Sequence, residues 1–236
     1  MSLIEVIRQV FSGFGATMTI FISTLVLSLP LGLLVSMLRM NTWAPFGFLD
    51  KDSTGFKGAL RQFKPVQLIT KFFISILRGT PLMLQLIVWF YGPYYLFGVR
   101  LSASWRVGAT IVGFAINYAA YFAEIFRSGI QSIPQGQREA AKVLGYSKVQ
   151  TFMKIIFPQM CKRVLPPVTN EIITLVKDTS LAFVLAYTEM FTLAKQVAAA
   201  QTTIAPLFVA GAFYYIFNLL VAGIMGKVEH SLEYYQ

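Results

Sequence analysis

Charge, cysteine and histidine are all scarce in this chain of 236 residues: 13% of them are charged, and it has one Cys and one His. A lone Cys161 excludes an internal disulfide. Together with a lone His230, read as a solvated tail residue, it excludes a Cys/His metal cluster, so no metal site is expected. No G-x-x-x-x-G-K-[ST] sequence occurs, and the nearest approach, Gly223-x-x-Gly226-Lys227, has the wrong spacing. The chain therefore has no phosphate-cradling loop of its own. A G-x-S-x-G nucleophile elbow is also missing, and no catalytic residue is assigned. The opening MSLIEVIRQVF lacks the charged-then-apolar layout of a cleaved signal peptide, so none is expected.

What is present is apolar. Hydrophobic residues make up 56% of the chain and the mean hydropathy is +0.63, far from the balance of a soluble domain. Four long apolar runs, at 16–38, 79–99, 107–126 and 204–226, approach or exceed the roughly 20 residues that cross a bilayer, and a weaker, interrupted run covers 166–186. The expectation is an all-α integral membrane protein, one domain over 1–236, with five transmembrane helices and lipid around it. The net charge of +10 is spread between the apolar runs rather than gathered in one patch, which argues against nucleic acid as a partner.

Lys and Arg also give an orientation. Seven lie between Arg39 and Arg78 and seven between Arg127 and Arg163; with Lys227, one face holds fifteen of the twenty. The positive-inside rule then places the N-terminus outside and the C-terminus in the cytoplasm, with 132–158 as a cytoplasmic loop. The stretch 41–64 mixes Gly, Pro, Asp and Asn and reads as irregular. From Pro65, the spacing of Val66, Ile69 and Phe73 beside Lys64, Lys71 and Arg78 predicts an amphipathic helix that leads into the second span.

The loop has the marks of two short helices. Ser132 with Gln135 and Ser147 with Gln150 read as capping boxes, and Ala140, Val143 and Leu144 share one face. Gly145 suits a left-handed helix end. Val149, Phe152, Met153 and Ile156 form an apolar stripe that Pro158 is expected to close.

The run PQGQREAAKVLGYSKVQTFMKIIFP at 134–158, with Glu139-Ala140-Ala141 and Gly145, resembles the EAA loop of bacterial ABC importer permeases. The likeness covers 76–181. Leu77-Arg78-Gly79-Thr80-Pro81-Leu82 with Gln85, then Ala123-Glu124-Ile125-Phe126-Arg127, Pro158-Gln159, Asn170-Glu171 and Lys177-Asp178-Thr179-Ser180-Leu181 carry it into the polar amino acid branch. Phe157 stands where the family has Leu, and 41–64 is longer than its norm. The resemblance implies a type I importer permease in the bacterial cytoplasmic membrane, paired with a second copy or a paralogue. ABC ATPase subunits holding ATP and magnesium would drive it, while this chain carries no cofactor. An extracytoplasmic binding protein would deliver the polar amino acid. Glu139, Ala140, Ala141 and Gly145 would then couple to the ATPase.

Ionisable side chains inside a span cost about 2.5–3.5 kcal/mol each on insertion scales and so face protein or water. This singles out Glu171, Asp178, Thr179 and Ser180 as candidates for the substrate pathway, with a neutralising ion pair as the expectation for Lys177 and as the alternative for Asp178. Such a run, after Pro166-Pro167, reads as a broken helix with backbone exposed to substrate. Asn117 and Gln85 either line the cavity or bond across helices. Glu124 and Arg127, three apart, read as an intrahelical pair, Glu189 as facing the outer mouth or external water, and Trp89, Tyr91, Tyr94, Tyr95 and Trp105 as an interface belt. Two other functions fit the composition: a structural partner permease without its own substrate site, and an ion-coupled secondary transporter, although no internal repeat supports the latter.

Overall fold

The computed structural model describes residues 2–46 and 62–232, and every regular element in them is helical. Most of the irregular 41–64 stretch, with Lys51, Lys57 and Arg61, lies outside the described residues. The elements are α1 (Leu3–Ser12), α2 (Phe14–Arg39), α3 (Pro65–Gly79), α4 (Leu82–Phe97), α5 (Ala103–Gln131), α6 (Gln135–Val143), α7 (Lys148–Thr151), α8 (Phe157–Asp178), α9 (Met190–Gln201) and α10 (Ala205–Leu232).

By length and composition, three helical stretches among the described residues can cross a membrane: Leu3–Arg39, Ala103–Gln131 and Ala205–Ser231. A fourth arises if α3 and α4 count as one span, bent by 110°. The amphipathic helix expected from Pro65 is present, but the apolar run expected at 79–99 starts its helix only at Leu82. Pro81 is the reason: a residue before proline is pushed out of the helical region, and Thr80 is extended at φ −122° and ψ 149°. α8 is not among the long apolar helices. It carries Lys162, Arg163, Glu171, Lys177 and Asp178, and Pro166 and Pro167 lie inside it rather than ahead of it.

α2 and α5 form the centre of the packing. The small residues Thr24, Ser28, Gly32 and Ser36 recur every four positions along α2 and are buried. At Gly32 a Cβ would stand 2.7 Å from the Cβ of Phe122, so only glycine allows this approach to α5. Phe114, Tyr118 and Phe122 fill the other side of the contact and continue into Met160, Ile172 and Leu175 of α8. The sequence had not marked α1 as an element. It begins with a capping box between Ser2 and Glu5 and packs Val6 and Val10 against Met190 and Ala194 of α9 and Ala210 of α10.

Candidate functional site

The loop between α5 and α8 is a compact unit fixed by short-range bonds. α6 ends in the left-handed turn its sequence announces. Gly145 has φ +77°, the amide of Tyr146 donates to Ala141 O at 3.0 Å, and that of Gly145 to Lys142 O at 3.1 Å. Ser147 and Gln150 then form the expected reciprocal capping box at 3.2 and 2.9 Å.

Two local expectations fail. Ser132 does not cap α6: it keeps helical angles at the end of α5, and its hydroxyl donates back to Gly129 O at 2.7 Å. α6 starts after Pro134 without a side-chain cap, and the Gln135 amide instead reaches Glu139 Oε1 at 3.0 Å. Nor does Pro158 close the second helix. α7 widens into a single π turn, Phe152–Ile156, and runs straight into α8. Pro158 then sits in the opening turn of α8, where its missing N–H is best tolerated.

The motif's two alanines face opposite ways. Ala141 is buried, whereas Ala140 lies outward with Val143 (86% exposed), Leu144 (75%) and Val149 (72%). Glu139, Lys142 and Lys148 are exposed beside them. Three bonds tie the unit to the helices behind it: Arg138 Nη2 to Ile130 O at 2.9 Å, Gln159 Nε2 to Gln137 Oε1 at 2.6 Å, and Arg163 to Ser132 O. Sequence reasoning did not assign these clasps, because each joins residues of different helices, eight to thirty-one positions apart.

Above the loop lies a cavity of about 480 Å³, lined by Arg78, Tyr121, Glu124, Arg127, Arg163 and Glu171 among others. Glu124 accepts from Arg127 Nε at 2.8 Å, as its spacing implies, and Arg39 Nε approaches it at 3.7 Å. Arg127 is used further by Gln131 Oε1 at 2.6 Å. The Arg78 guanidinium lies 5.3 Å from the centre of the Tyr121 ring, a cation–π distance. Glu171 is half-buried on the cavity wall.

The remaining candidates stand elsewhere. Asp178 accepts a hydrogen bond from the hydroxyl of buried Tyr118 at 2.7 Å, a partner the sequence did not suggest. Lys177 is exposed, and the ion pairs found among the described residues, Arg127–Glu124 and Arg39–Glu124, do not include it. The chain does change at the expected break: α8 gives way to a 3₁₀ helix, Thr179–Leu185. That segment tightens rather than opens, however. Thr179 and Ser180 each donate to a carbonyl three residues back, at 2.7 Å, so their hydroxyls serve the helix end.

Asn117 and Gln85 meet across helices. Asn117 Nδ2 donates to Gln85 Oε1 at 2.9 Å and to Leu77 O at 3.2 Å. Gln85 Nε2 donates to Leu77 O at 2.9 Å and Thr80 O at 3.1 Å, which satisfies the carbonyls freed where Pro81 ends α3. Glu189 is wholly buried rather than facing water. It caps α9, accepting from the amides of Phe191 and Thr192 at 2.7 Å and the hydroxyl of Tyr214 at 2.8 Å. Around α4, Tyr91, Tyr94 and Tyr95 are exposed, while Trp105 Nε1 is engaged with Phe90 O at 2.9 Å.

The family model described as "Binding-protein-dependent transport system inner membrane component" matches residues 54–234. The chain is 31% identical to the arginine transport system permease protein of Bacillus subtilis (strain 168) over 225 residues, covering 95% of this chain and 92% of that one. It is 37% identical to the octopine transport system permease protein of Rhizobium radiobacter over 173 residues, 71% of each chain. Among solved structures, an amino acid ABC transporter crystallised with histidines superposes with a TM-score of 0.79 at 25% identity, over 97% of this chain and 96% of that chain. An inward-facing methionine ABC transporter shares the fold, with a TM-score of 0.70 at 16% identity over 98% and 99%.

Proposed function

The chain belongs to the family of binding-protein-dependent transport system inner membrane components, and from that premise we propose that it carries a polar amino acid across the bacterial cytoplasmic membrane. It is a transport subunit, and ATP hydrolysis belongs to a separate chain. The proposal adds the parts. A second permease copy or a paralogue completes the pathway, two ATPases with ATP and magnesium dock on α6–α7, and an extracytoplasmic binding protein delivers the substrate. The arginine and octopine named for the relatives mark the substrate class. The excess of Lys and Arg on one face supports an outside N-terminus, a cytoplasmic C-terminus and five crossings, with the bent α3–α4 pair as one and α8 as another.

One observation carries the coupling role: an exposed apolar edge at Ala140, Val143, Leu144 and Val149, beside Glu139, is clasped to the ends of α5 and α8. Exposed apolar patches rimmed by charge mark protein contacts. Because the loop is tied to both helices, force applied to it reaches the walls of the Glu171 cavity. Glu171 supplies that cavity with an acceptor for a substrate cation.

The test is uptake in vesicles that hold the chain with its ATPase and binding protein. Uptake should need ATP and ignore ion gradients, which separates this reading from an ion-coupled carrier. Glu139→Lys should cut uptake by tenfold or more while the protein stays in the membrane and the ATPase still hydrolyses ATP, since reversing a charge at a contact costs about 2–5 kcal/mol. Full uptake by Glu139→Lys would reject the loop as the coupling element.

A further inference from the structure

A second hollow, of about 340 Å³, lies between α2, α5 and α8 and shares only Val164 with the cavity of Glu171. The packing explains it. α2 closes on α5 at Gly32, and α8 closes on α5 where a Cβ on Gly129 would meet the Val164 side chain. Phe126 lies between these two approaches along α5, and with Met160 it forms a buried floor. Leu29 and Leu33 of α2 stand on one side, and Phe157 and Val168 of α8 on the other. Among the described residues no charged, hydroxyl or amide side chain lines the hollow, and its most polar group is the thiol of Cys161.

Its length and depth say what fills it. From Phe157 to Val168 the wall of α8 runs eleven residues, about 16 Å at the helical rise. On α2 the lining residues lie six to ten positions before Arg39, about 9–15 Å in from that basic end. One leaflet of a bilayer core is about 15 Å thick, so the hollow spans one leaflet. Its Phe157 end adjoins a cation. Exposed Lys154 lies three residues before Phe157, with its ammonium 5.8 Å from the ring centre of Tyr146. Water finds no polar partners on walls of this kind and does not fill them.

We propose that this hollow is a phospholipid site: one acyl chain lies along Phe126 and Met160, and the phosphate rests at the Phe157 end beside Lys154, in the leaflet next to the α6–α7 loop. The inference rests on the reading of α8 as a crossing. Attraction of the phosphate to a lysine and of the chain to the hollow act on one molecule, which sets this lipid apart from the hydrocarbon that touches every outward face. Because α8 continues from the loop and α2 does not, a chain seated here joins the loop to the centre of the packing.

The experiment is photolabelling of the permease–ATPase complex in nanodiscs of phosphatidylethanolamine and phosphatidylglycerol. A fraction of the phosphatidylglycerol carries a diazirine, either beside the glycerol or at the end of one chain, and peptide mapping locates the label. The glycerol-side probe should mark Phe157, and the chain-end probe Leu29 and Val168. Each should be marked about tenfold more than the exposed Val26 and Leu220 outside the hollow, a ratio that corresponds to about 1.4 kcal/mol. Leu33→Trp fills the hollow from α2 and Cys161→Phe fills it from α8. Either should cut labelling in the hollow by roughly fivefold or more and leave Val26 and Leu220 marked as in the unaltered complex.

Labelling in the hollow no stronger than at Val26 and Leu220, or unaltered by both substitutions, would overturn the site and leave only the lipid that coats any membrane helix. An unlabelled hollow beside labelled Val26 and Leu220 would also overturn it, since another chain then closes the opening. Labelling that both substitutions block, but in which the two probes mark the same residues, would instead overturn the reading of α8 as a crossing and, with it, the leaflet assigned to the lipid.

Discussion

The loop at 134–158 and the charged run of 166–186 belong to one nearly continuous helical stretch, yet they use their side chains in opposite ways. In the loop the polar groups are consumed locally by caps and clasps, and the apolar side chains Val143, Leu144 and Val149 are left outside. In the charged run the apolar side chains Ile172, Leu175 and Val176 are buried, and half of its polar side chains have partners within the fold. Asp178 has Tyr118, and Thr179 and Ser180 have helix carbonyls. Glu171 alone among these pathway candidates faces the cavity beside Arg78 and Tyr121. A surface that leaves apolar groups exposed is built for a protein partner, and a wall that leaves a carboxylate open is built for a small polar one.

The sharpest way to break this contrast is to charge the outward edge. Leu144→Asp should leave thermal stability within about 0.5 kcal/mol, because the side chain is 75% exposed and supports nothing beneath it. Association with the ATPase should weaken by about 2–4 kcal/mol, thirtyfold or more, if Leu144 is central to the docking face. Thermal unfolding and a pull-down titration measure the two. A large loss of stability with unchanged association would make the edge part of the fold and end the contrast.

The next effect tests whether the Gln85–Asn117 pair is structural. Gln85→Leu removes the donor that serves Leu77 O and Thr80 O and the acceptor used by Asn117. Leaving such groups unpaired in the interior costs roughly 1–3 kcal/mol, so unfolding in detergent should occur several degrees lower, with the substrate profile unchanged. A changed profile at unchanged stability would return the pair to the substrate route.

How far the sequence could be read follows from the range of the interactions. Three of the four long apolar runs, the amphipathic helix from Pro65, the left-handed Gly145 and the Ser147–Gln150 box all rest on contacts within a few residues, and each appears in the structure. Beyond the Glu124–Arg127 pair, which its spacing announced, the partners of the buried polar side chains rest on packing. Tyr118 is 60 positions from Asp178, and Asn117 is 40 from Leu77, so spacing held no trace of either bond. Glu189 lies in between. Its capping bonds to the Phe191 and Thr192 amides are local and could have been read, but its burial depends on Tyr214 of α10.

The smallest effect separates a local signal that formed from one that did not. Ser132 and Ser147 both precede a Gln by three residues, but Pro134 disfavours helical angles at Ile133, the first position of a helix that Ser132 would cap, and nothing of the kind follows Ser147. In the structure only Ser147 accepts from the amide of its Gln, while Ser132 remains the end of α5. Ser147→Ala should therefore lower stability by about 1 kcal/mol, the usual worth of an N-cap. Ser132→Ala removes only a hydroxyl that donates back to Gly129 O, and helix back-bonding of that kind contributes little. Its unfolding midpoint should match that of the unaltered protein. Equal losses in the two variants would mean that Ser132 caps α6 after all, and that the entry to the loop is held as firmly as its turn.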